Sequence, residues 1–214
     1  MSHDIDQQRD VLRQYVIEQR SALTESQLRE AARDMTLLLE STPEFHHALH
    51  IAAYWPVNGE MDVLPLMEQA RRYNKHVYLP VIVEGDRMMF APYEKNMAMK
   101  NNKFGIPEPD VAADQLVAPA DMDIVLVPLV VFDSAGHRLG MGGGFYDRTF
   151  SFLNEDPDAL KPCLVGAAHE FQHTGDIPPH PWDVPTRMVV TEERVWRPHH
   201  TLHSDAGSAT AEAS

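Results

Sequence analysis

The spacing of apolar and polar positions changes period several times along the chain. Residues 6–22 are mostly polar, with Leu12, Tyr15, Val16 and Leu23 at helical spacing. Thr24-Glu25-Ser26-Gln27 then forms a capping box, predicting a second helix whose buried stripe is Leu28, Ala31, Ala32, Met35, Leu38 and Leu39. Residues 51–55 read as a short buried strand and 56–60 as the loop after it. Asp62 is expected to cap a helix bearing Leu66, Met67 and Ala70, and residues 76–82 make the next strand. A strand, a helix and a further strand in that order imply a parallel crossover. The Glu84-Gly85-Asp86 turn predicts a hairpin into a strand over 87–93. Residues 94–103 lack a periodic pattern and read as a mobile loop. Phe104-Gly-Ile-Pro-Glu-Pro109 reads as rigid and extended because of its two prolines.

The most strongly patterned stretch is residues 123–133, an apolar run rich in β-branched residues with Asp at both ends. It predicts a buried parallel strand. A turn over 134–137 and a glycine-rich loop follow, and a helix is expected from about 143 to 153. Residues 164–168 and 188–191 read as two more strands, and 192–196 as a closing turn. The alternation predicts an α/β fold, a three-layer sandwich around a mainly parallel central sheet. One domain is expected over residues 1–198, with a disordered Ser/Ala/His-rich tail over 199–214.

Composition narrows the function classes. A net charge of −14 argues against a nucleic-acid binder. No apolar run approaches a membrane span, and the N-terminus lacks the basic and apolar regions of a signal peptide, so a cytoplasmic protein is expected. The single Cys163 excludes an internal disulfide and a cysteine-based metal site. The acids are unevenly placed: Glu108, Asp110, Asp114, Asp121 and Asp123 fall within 104–123 without any Lys or Arg, which reads as a solvated acidic loop. A basic pocket elsewhere is compatible with that distribution.

Candidate chemistry lies in Arg138-Leu139-Gly140-Met141-Gly142-Gly143-Gly144-Phe145-Tyr146-Asp147. Glycines after a strand let the backbone approach an anion closely, and free amides at a helix start point at it. The loop is neither a P-loop, since no Lys-Ser or Lys-Thr follows, nor a dinucleotide fingerprint, since position 145 is Phe. A purely structural turn is the competing reading. Four glycines in five positions between Arg138 and Arg148 favour a phosphate cradle.

Residues 138–147, following a strand ending in Pro128 and the pair Phe132-Asp133, resemble the signature of the 5-formyltetrahydrofolate cyclo-ligase family, also called 5,10-methenyltetrahydrofolate synthetases. The resemblance extends over about residues 8–196, through Asn58-Gly-Glu-Met-Asp62, the aromatic-Gly-Ile segment at Phe104 and the Gln172 stretch. It implies a fold similar to the sugar-phosphate isomerase and CoA-transferase-like proteins, with ATP and Mg²⁺. ATP would be held by Arg9, Arg13, Arg138 and the loop Leu139, Gly140, Met141, Gly142, Gly143, Gly144, Phe145 and Tyr146. Folate would be held by Trp55, Glu60, Phe104, Phe145 and Tyr146, with Arg138 and Tyr146 at the reacting centre. Asp147 and Asp183 would hold the metal. Without the resemblance, Asp147 reads as a helix-start charge, Asp183 as a loop cap and Glu60 as an exposed turn residue. Departures from the family pattern are Arg9 in place of Lys, Met141, Phe145 in place of Tyr, and Arg187 where Asp is usual.

The implied reaction is ATP-dependent closure of 5-formyltetrahydrofolate to 5,10-methenyltetrahydrofolate, by phosphorylation of the formyl oxygen and attack of the neighbouring amine. Such chemistry needs positioning and charge neutralisation, consistent with the lack of a visible nucleophile-and-base constellation. The expected partners are 5-formyltetrahydrofolate and ATP, with no nucleic acid and no membrane, and a monomer is expected. The rival readings are a related ATP-binding enzyme with a non-folate, thiamine-related substrate, a nucleotide-binding module without turnover, and a sugar-phosphate isomerase or deaminase.

Overall fold

The structure is a computed structural model describing residues 2–156, 159 and 161–198; the expected tail lies outside the described residues. Helix α1 (Ser2–Ser21) leads to α2 (Glu25–Glu40), whose start is the capping box read from sequence: Thr24 accepts from Gln27 N, and Gln27 reaches back to Thr24 N. A short helix α3 (Pro43–His47) follows. It was not expected, although Thr42 caps it and Pro43 sits in its first turn, both ordinary helix-start signals. Strand β1 (His50–Ala52), helix α4 (Leu64–Arg72) and strand β2 (His76–Val83) make the predicted crossover, with β1 and β2 parallel. Asp62 acts one residue earlier than a regular cap, its Oδ1 accepting from Leu64 N at 2.9 Å. Strand β3 (Arg87–Pro92) returns antiparallel to β2, as the Gly85 turn implied.

The segment 94–109 departs from expectation. Strands β4 (Met99–Asn101) and β5 (Pro107–Pro109) pair antiparallel in a separate two-stranded sheet. Two prolines are tolerated because such a ribbon has a free edge. Asn102 ties the turn, its Oδ1 accepting from Phe104 N and Ile106 N. The acidic stretch also differs in part: Glu108 is buried and accepts from Ile82 N, while Asp123 accepts from Leu49 N and His50 N. Asp110, Asp114 and Asp121 are solvated.

Strand β6 (Ile124–Pro128) is followed by a small hairpin, β7 (Val131–Phe132) and β8 (Arg138–Leu139), then α5 (Phe145–Thr149), β9 (Cys163–Ala167), β10 (Met188–Val190) and β11 (Val195–Trp196). Helix α5 is five residues, not the eleven implied by 143–153; a 3₁₀ turn over 151–154 takes its place. The seven-stranded sheet runs β11-β10-β9-β6-β1-β2-β3, parallel throughout its interior and antiparallel at each edge.

Alternation sorts each strand's side chains into two layers. Ile51, Val77, Leu79, Ile124, Leu126 and Val165 face Met35, Leu39, Phe45, Leu66 and Met67 of α2, α3 and α4. Ala52, Tyr78, Val125, Val127 and Leu164 face Phe150 and Val184 on the opposite side. Each fully buried large aliphatic side chain contributes about 1.5–3 kcal/mol. Among the described residues no helix is long and apolar enough to cross a membrane.

Between β6 and its hairpin the backbone must leave the sheet with two carbonyls buried. Gln172, 1% exposed, donates from Nε2 to Leu129 O at 2.9 Å and Val130 O at 2.8 Å. Replacing it with Leu strands both carbonyls, and Gln172→Leu is expected to lower unfolding free energy by about 2–4 kcal/mol in urea denaturation. A loss below about 1 kcal/mol would show that the carbonyls find other partners.

Candidate active site

The order of the sheet fixes where a cleft can open. From β1 the chain moves outward through β2 to β3, whereas β6, on the other flank of β1, moves the opposite way through β9 to β10. The reversal between β1 and β6 is a topological switch point, where loops leaving the carboxyl ends of neighbouring strands part. The loop after β1 carries Trp55 to Glu60, and the chain after β6 carries the hairpin and the glycine loop. The candidates carried by these two segments therefore leave the sheet at the same edge, while Arg9 and Arg13 come from α1, Phe104 from the β4–β5 ribbon and Asp183 from the loop before β10.

Helix α1 lies across that edge. Arg9, Arg13, Val16 and Arg20 are spaced four, three and four apart, a single face of a helix. Val16 packs with Val130, Val131, Leu139 and Ile177, and the three arginines reach three different loops. Arg9, 5% exposed, donates from Nη1 to Asp183 Oδ2 at 2.9 Å. Arg13 donates from Nε to the carbonyl of Gly140 at 2.9 Å and pairs with Asp10. Arg20 donates from Nε and Nη2 to the carbonyl of Asn58 at 3.0 and 2.7 Å.

Arg138 is buried where the hairpin ends. Its Nη2 donates to Asp147 Oδ1 at 2.8 Å and its Nη1 to the carbonyl of Val184. Asp147 Oδ1 also accepts from Val184 N at 3.1 Å, which sets the two acidic candidates side by side, since Asp183 is the preceding residue. Asp183 Oδ2 accepts from His180 N at 2.9 Å, so it does cap its own loop. Upstream, buried Asp133 gathers the amides of Ala135, His137 and Ile177, fixing the turn that aims Arg138.

In the glycine loop, Gly142 (φ 90°) and Gly144 (φ 64°) occupy the left-handed region that disfavours other residues. A side chain at Gly140 or Gly142 would meet only open space, so these two present bare backbone to the cleft. Leu139 is a core residue, and only its backbone can serve a ligand. Met141 is exposed. Because α5 is a single turn, its dipole adds little; the anion-binding capacity of this loop rests on its amides and the neighbouring arginines.

Glu60 sits half-buried after a turn through Asn58 (φ 53°) and Gly59 (φ 70°). Its Oε2 accepts from Val57 N at 3.1 Å. Burial pushes its carboxyl above the usual range, opposed by the Val57 bond and the Arg20 charge. Burial and the Glu60 charge also push the Tyr146 phenol up, so it is a neutral donor rather than a base. Buried Tyr54 donates to Met61 O at 2.7 Å. His169, 2% exposed, holds Gly59 O at 3.3 Å through Nε2; a carbonyl only accepts, so Nε2 carries the proton. Burial drops His169 to about 4, leaving it neutral at physiological pH. Arg20, Tyr54 and His169 were not singled out from sequence as site residues.

The aromatic candidates occupy the rim. Phe104, at the tip of the β4–β5 ribbon, is 56% exposed and meets Phe145 edge-on at 5.6 Å. Lys103 and Arg148 lie over the Phe145 ring. Tyr146 stacks on Phe150, whereas Trp55 packs edge-on against Tyr93 at 6.4 Å and on the other layer of the sheet, away from the Phe104–Phe145 pair. A groove of about 560 Å³ that reaches His169 is also lined by Glu30, Asp34, Glu170, Glu192 and Glu193; its charge suits neither phosphate nor a carboxylate-bearing ligand.

The donor set fits a magnesium ion. Asp147 and Asp183 each commit one oxygen to an arginine and an amide, and their second oxygens make no hydrogen bond among the described residues. No group of three or more His, Cys, Asp or Glu converges among the described residues. That suits Mg²⁺, which takes one or two carboxylates and completes its shell with water and phosphate oxygens.

Comparison with known proteins identifies the family. Residues 5–192 match the 5-formyltetrahydrofolate cyclo-ligase family. The chain is 35% identical over 181 residues to the 5-formyltetrahydrofolate cyclo-ligase of Escherichia coli K12, covering 84% of this chain and 97% of that protein. It is 36% identical to that of Haemophilus influenzae, covering 84% and 95%. Among solved structures it superposes on 5,10-methenyltetrahydrofolate synthetase of Aquifex aeolicus with a TM-score of 0.75 and 33% identity, covering 91% of this chain and 98% of that one. A fold built around this switch point, a matching span that contains every candidate site residue, and relatives covered almost end to end lead to one assignment: the chain belongs to the 5-formyltetrahydrofolate cyclo-ligase family.

Proposed function

We propose that the chain, acting as one domain over residues 1–198, catalyses ATP-dependent closure of 5-formyltetrahydrofolate to 5,10-methenyltetrahydrofolate, releasing ADP and phosphate. The observation that carries this reading is the bonded network of Arg9, Arg13, Arg138, Asp147 and Asp183 around the glycine loop, in a member of this family. Arginines and loop amides suit phosphate oxygens, and Glu60 suits the N–H donors of a pterin. Phe145, Tyr146, Phe104 and Trp55 offer faces to a flat heterocycle.

The formyl oxygen attacks the γ-phosphorus as the bond to ADP breaks, leaving that oxygen phosphorylated and the formyl carbon activated as a phosphorylated imidate. The neighbouring amine nitrogen then attacks that carbon, and inorganic phosphate departs with the formyl oxygen and takes up the amine's proton. Arg138 would neutralise the negative charge that grows on the transferring group, and Arg9 would add to that positive charge. Tyr146, a neutral phenol, donates a hydrogen bond and takes no proton. Asp147 and Asp183 would hold Mg²⁺, which supplies charge neutralisation for the phosphate oxygens. The glycine-loop amides orient the chain of phosphates, and the aromatic rim excludes water that would hydrolyse the activated formyl group.

The reading is tested by following methenyltetrahydrofolate in the near ultraviolet after mixing 5-formyltetrahydrofolate and MgATP with the protein. Turnover is expected. ATP binding with no chromophore would leave a nucleotide-binding module, and turnover of a different acceptor would shift the substrate class.

Two sets of variants divide the pocket. Arg138→Ala is expected to weaken ATP about ten- to a hundredfold while sparing 5-formyltetrahydrofolate, and Glu60→Gln to do the reverse, by titration of each ligand alone. Glu60→Gln weakening ATP instead would invert the assignment. Asp147→Asn keeps an acceptor for Arg138 and loses the metal-binding charge. It should raise the magnesium requirement about tenfold or more with the fold intact, and an unchanged requirement in both Asp147→Asn and Asp183→Asn would remove them from the metal site.

A further inference from the structure

Arg20 carries a charge at 2% exposure, and its Nη1 has no hydrogen-bond partner among the described residues. Its other two nitrogens both donate to one acceptor, the carbonyl of Asn58. A neutral amide could hold that carbonyl without a buried charge, so the guanidinium is more than the turn needs. The turn itself is held tightly. Asn58 and Gly59 are both left-handed, a side chain at Gly59 would come 3.1 Å from the Arg20 carbonyl, and His169 grips the Gly59 carbonyl from the far side. The next residue is Glu60.

We propose that Arg20 is a positioning residue for the ligand-facing carboxylate of Glu60: through Asn58 it fixes the turn that carries Glu60, and its charge keeps that carboxylate ionised when a flat, N–H-donating ligand covers it. The inference rests on the folate reading of Glu60. Without a cation behind it, a carboxylate sealed under a heterocycle protonates, and a protonated acid loses half of its capacity to accept.

The groups around Glu60 are consistent with that role. From α1 comes Arg20; from the end of β1, Tyr54, with Asp62 on its side; from α5, Tyr146; and from beyond β9, neutral His169. Among the described residues Arg20 is the cation that acts on Glu60, while Arg138 acts on Tyr146. Burial holds the Glu60 carboxyl above its ordinary range and Arg20 pulls it back down, so removing the charge moves its titration further up. Folate binding that needs the carboxylate is then lost at a higher pH.

The test compares Arg20→Gln, a neutral donor to Asn58, with Arg20→Lys, a cation without the fork. Binding of 5-formyltetrahydrofolate and of ATP is titrated by calorimetry from pH 5 to 8, roughly spanning the range in which a raised carboxyl titrates. Arg20→Gln should move the acid limb of folate binding up by about one pH unit and weaken folate about tenfold near neutrality, with ATP within about twofold. Arg20→Lys should keep the limb in place and most of the affinity. The ligand's own titration is common to all three proteins and cancels.

If both variants behave alike, or if each loses folate and ATP affinity equally, Arg20 is merely structural and the proposal is overturned. Should Arg20→Gln not fold, Arg20→Lys decides alone. An unmoved limb with affinity within about threefold supports the role of charge, and a larger loss with an unmoved limb refutes it. Failure of the unmodified protein to bind 5-formyltetrahydrofolate would instead overturn the functional reading beneath it.

Discussion

Three arginines on one face of α1 hold this site together. Arg9, Arg13 and Arg20 descend from the same stripe and end on Asp183, Gly140 and Asn58, which belong to three loops far apart in sequence. The sheet places those loops at one edge, but loops at an edge have no reason of their own to converge. A rigid helix with charged side chains at fixed intervals gives them a common reference, seated on the core by Val16. Arg138 continues the same logic from inside the hairpin, joining α5 through Asp147 to the loop at Val184.

The arrangement also reconciles a net charge of −14 with anionic ligands. Arg9, Arg20 and Arg138 are buried against carboxylates and carbonyls, and half-buried Arg13 pairs with solvated Asp10. Arg9 with Asp183 and Arg138 with Asp147 are close to neutral as pairs. In the proposed reaction, phosphate oxygens take up the arginines and magnesium takes up the carboxylates, so opposite charges enter together. Neither ligand alone can be neutralised as well, which ties nucleotide and metal to each other by electrostatics rather than by a moving part. On the proposed folate side the same economy appears as Glu60 against Arg20, with the phenols of Tyr54 and Tyr146 held neutral by burial.

Much of this was legible in the sequence where a signal is local. The capping box at Thr24 and the glycine loop stand in the structure where the pattern put them, whereas the apolar run over 123–133 is divided between parallel β6 and antiparallel β7. The ribbon at 99–109 was not legible, because neither strand alternates and two prolines argue against a strand; it forms because Asn102 closes a tight turn. Helix α5 is shorter than its pattern because Phe150 turns into the core, where it packs on Phe90. Arg20 and His169 were missed for a different reason: their partners, Asn58 and Gly59, are distant in sequence and present only backbone carbonyls. A usable signal was present for Arg20, since a basic residue four positions after buried Val16 must point inward.

The central claim is that this cleft is a positioning and charge-neutralising device that transfers a phosphoryl group to the formyl oxygen of the substrate. The direct measurement is the fate of that oxygen. With 5-formyltetrahydrofolate labelled with ¹⁸O in the formyl group and unlabelled MgATP and water, mass spectrometry of the released phosphate should find one labelled oxygen for each methenyltetrahydrofolate formed. Unlabelled phosphate, with the label appearing in water, would mean that ATP hydrolysis and ring closure are separate events, and would contradict the account.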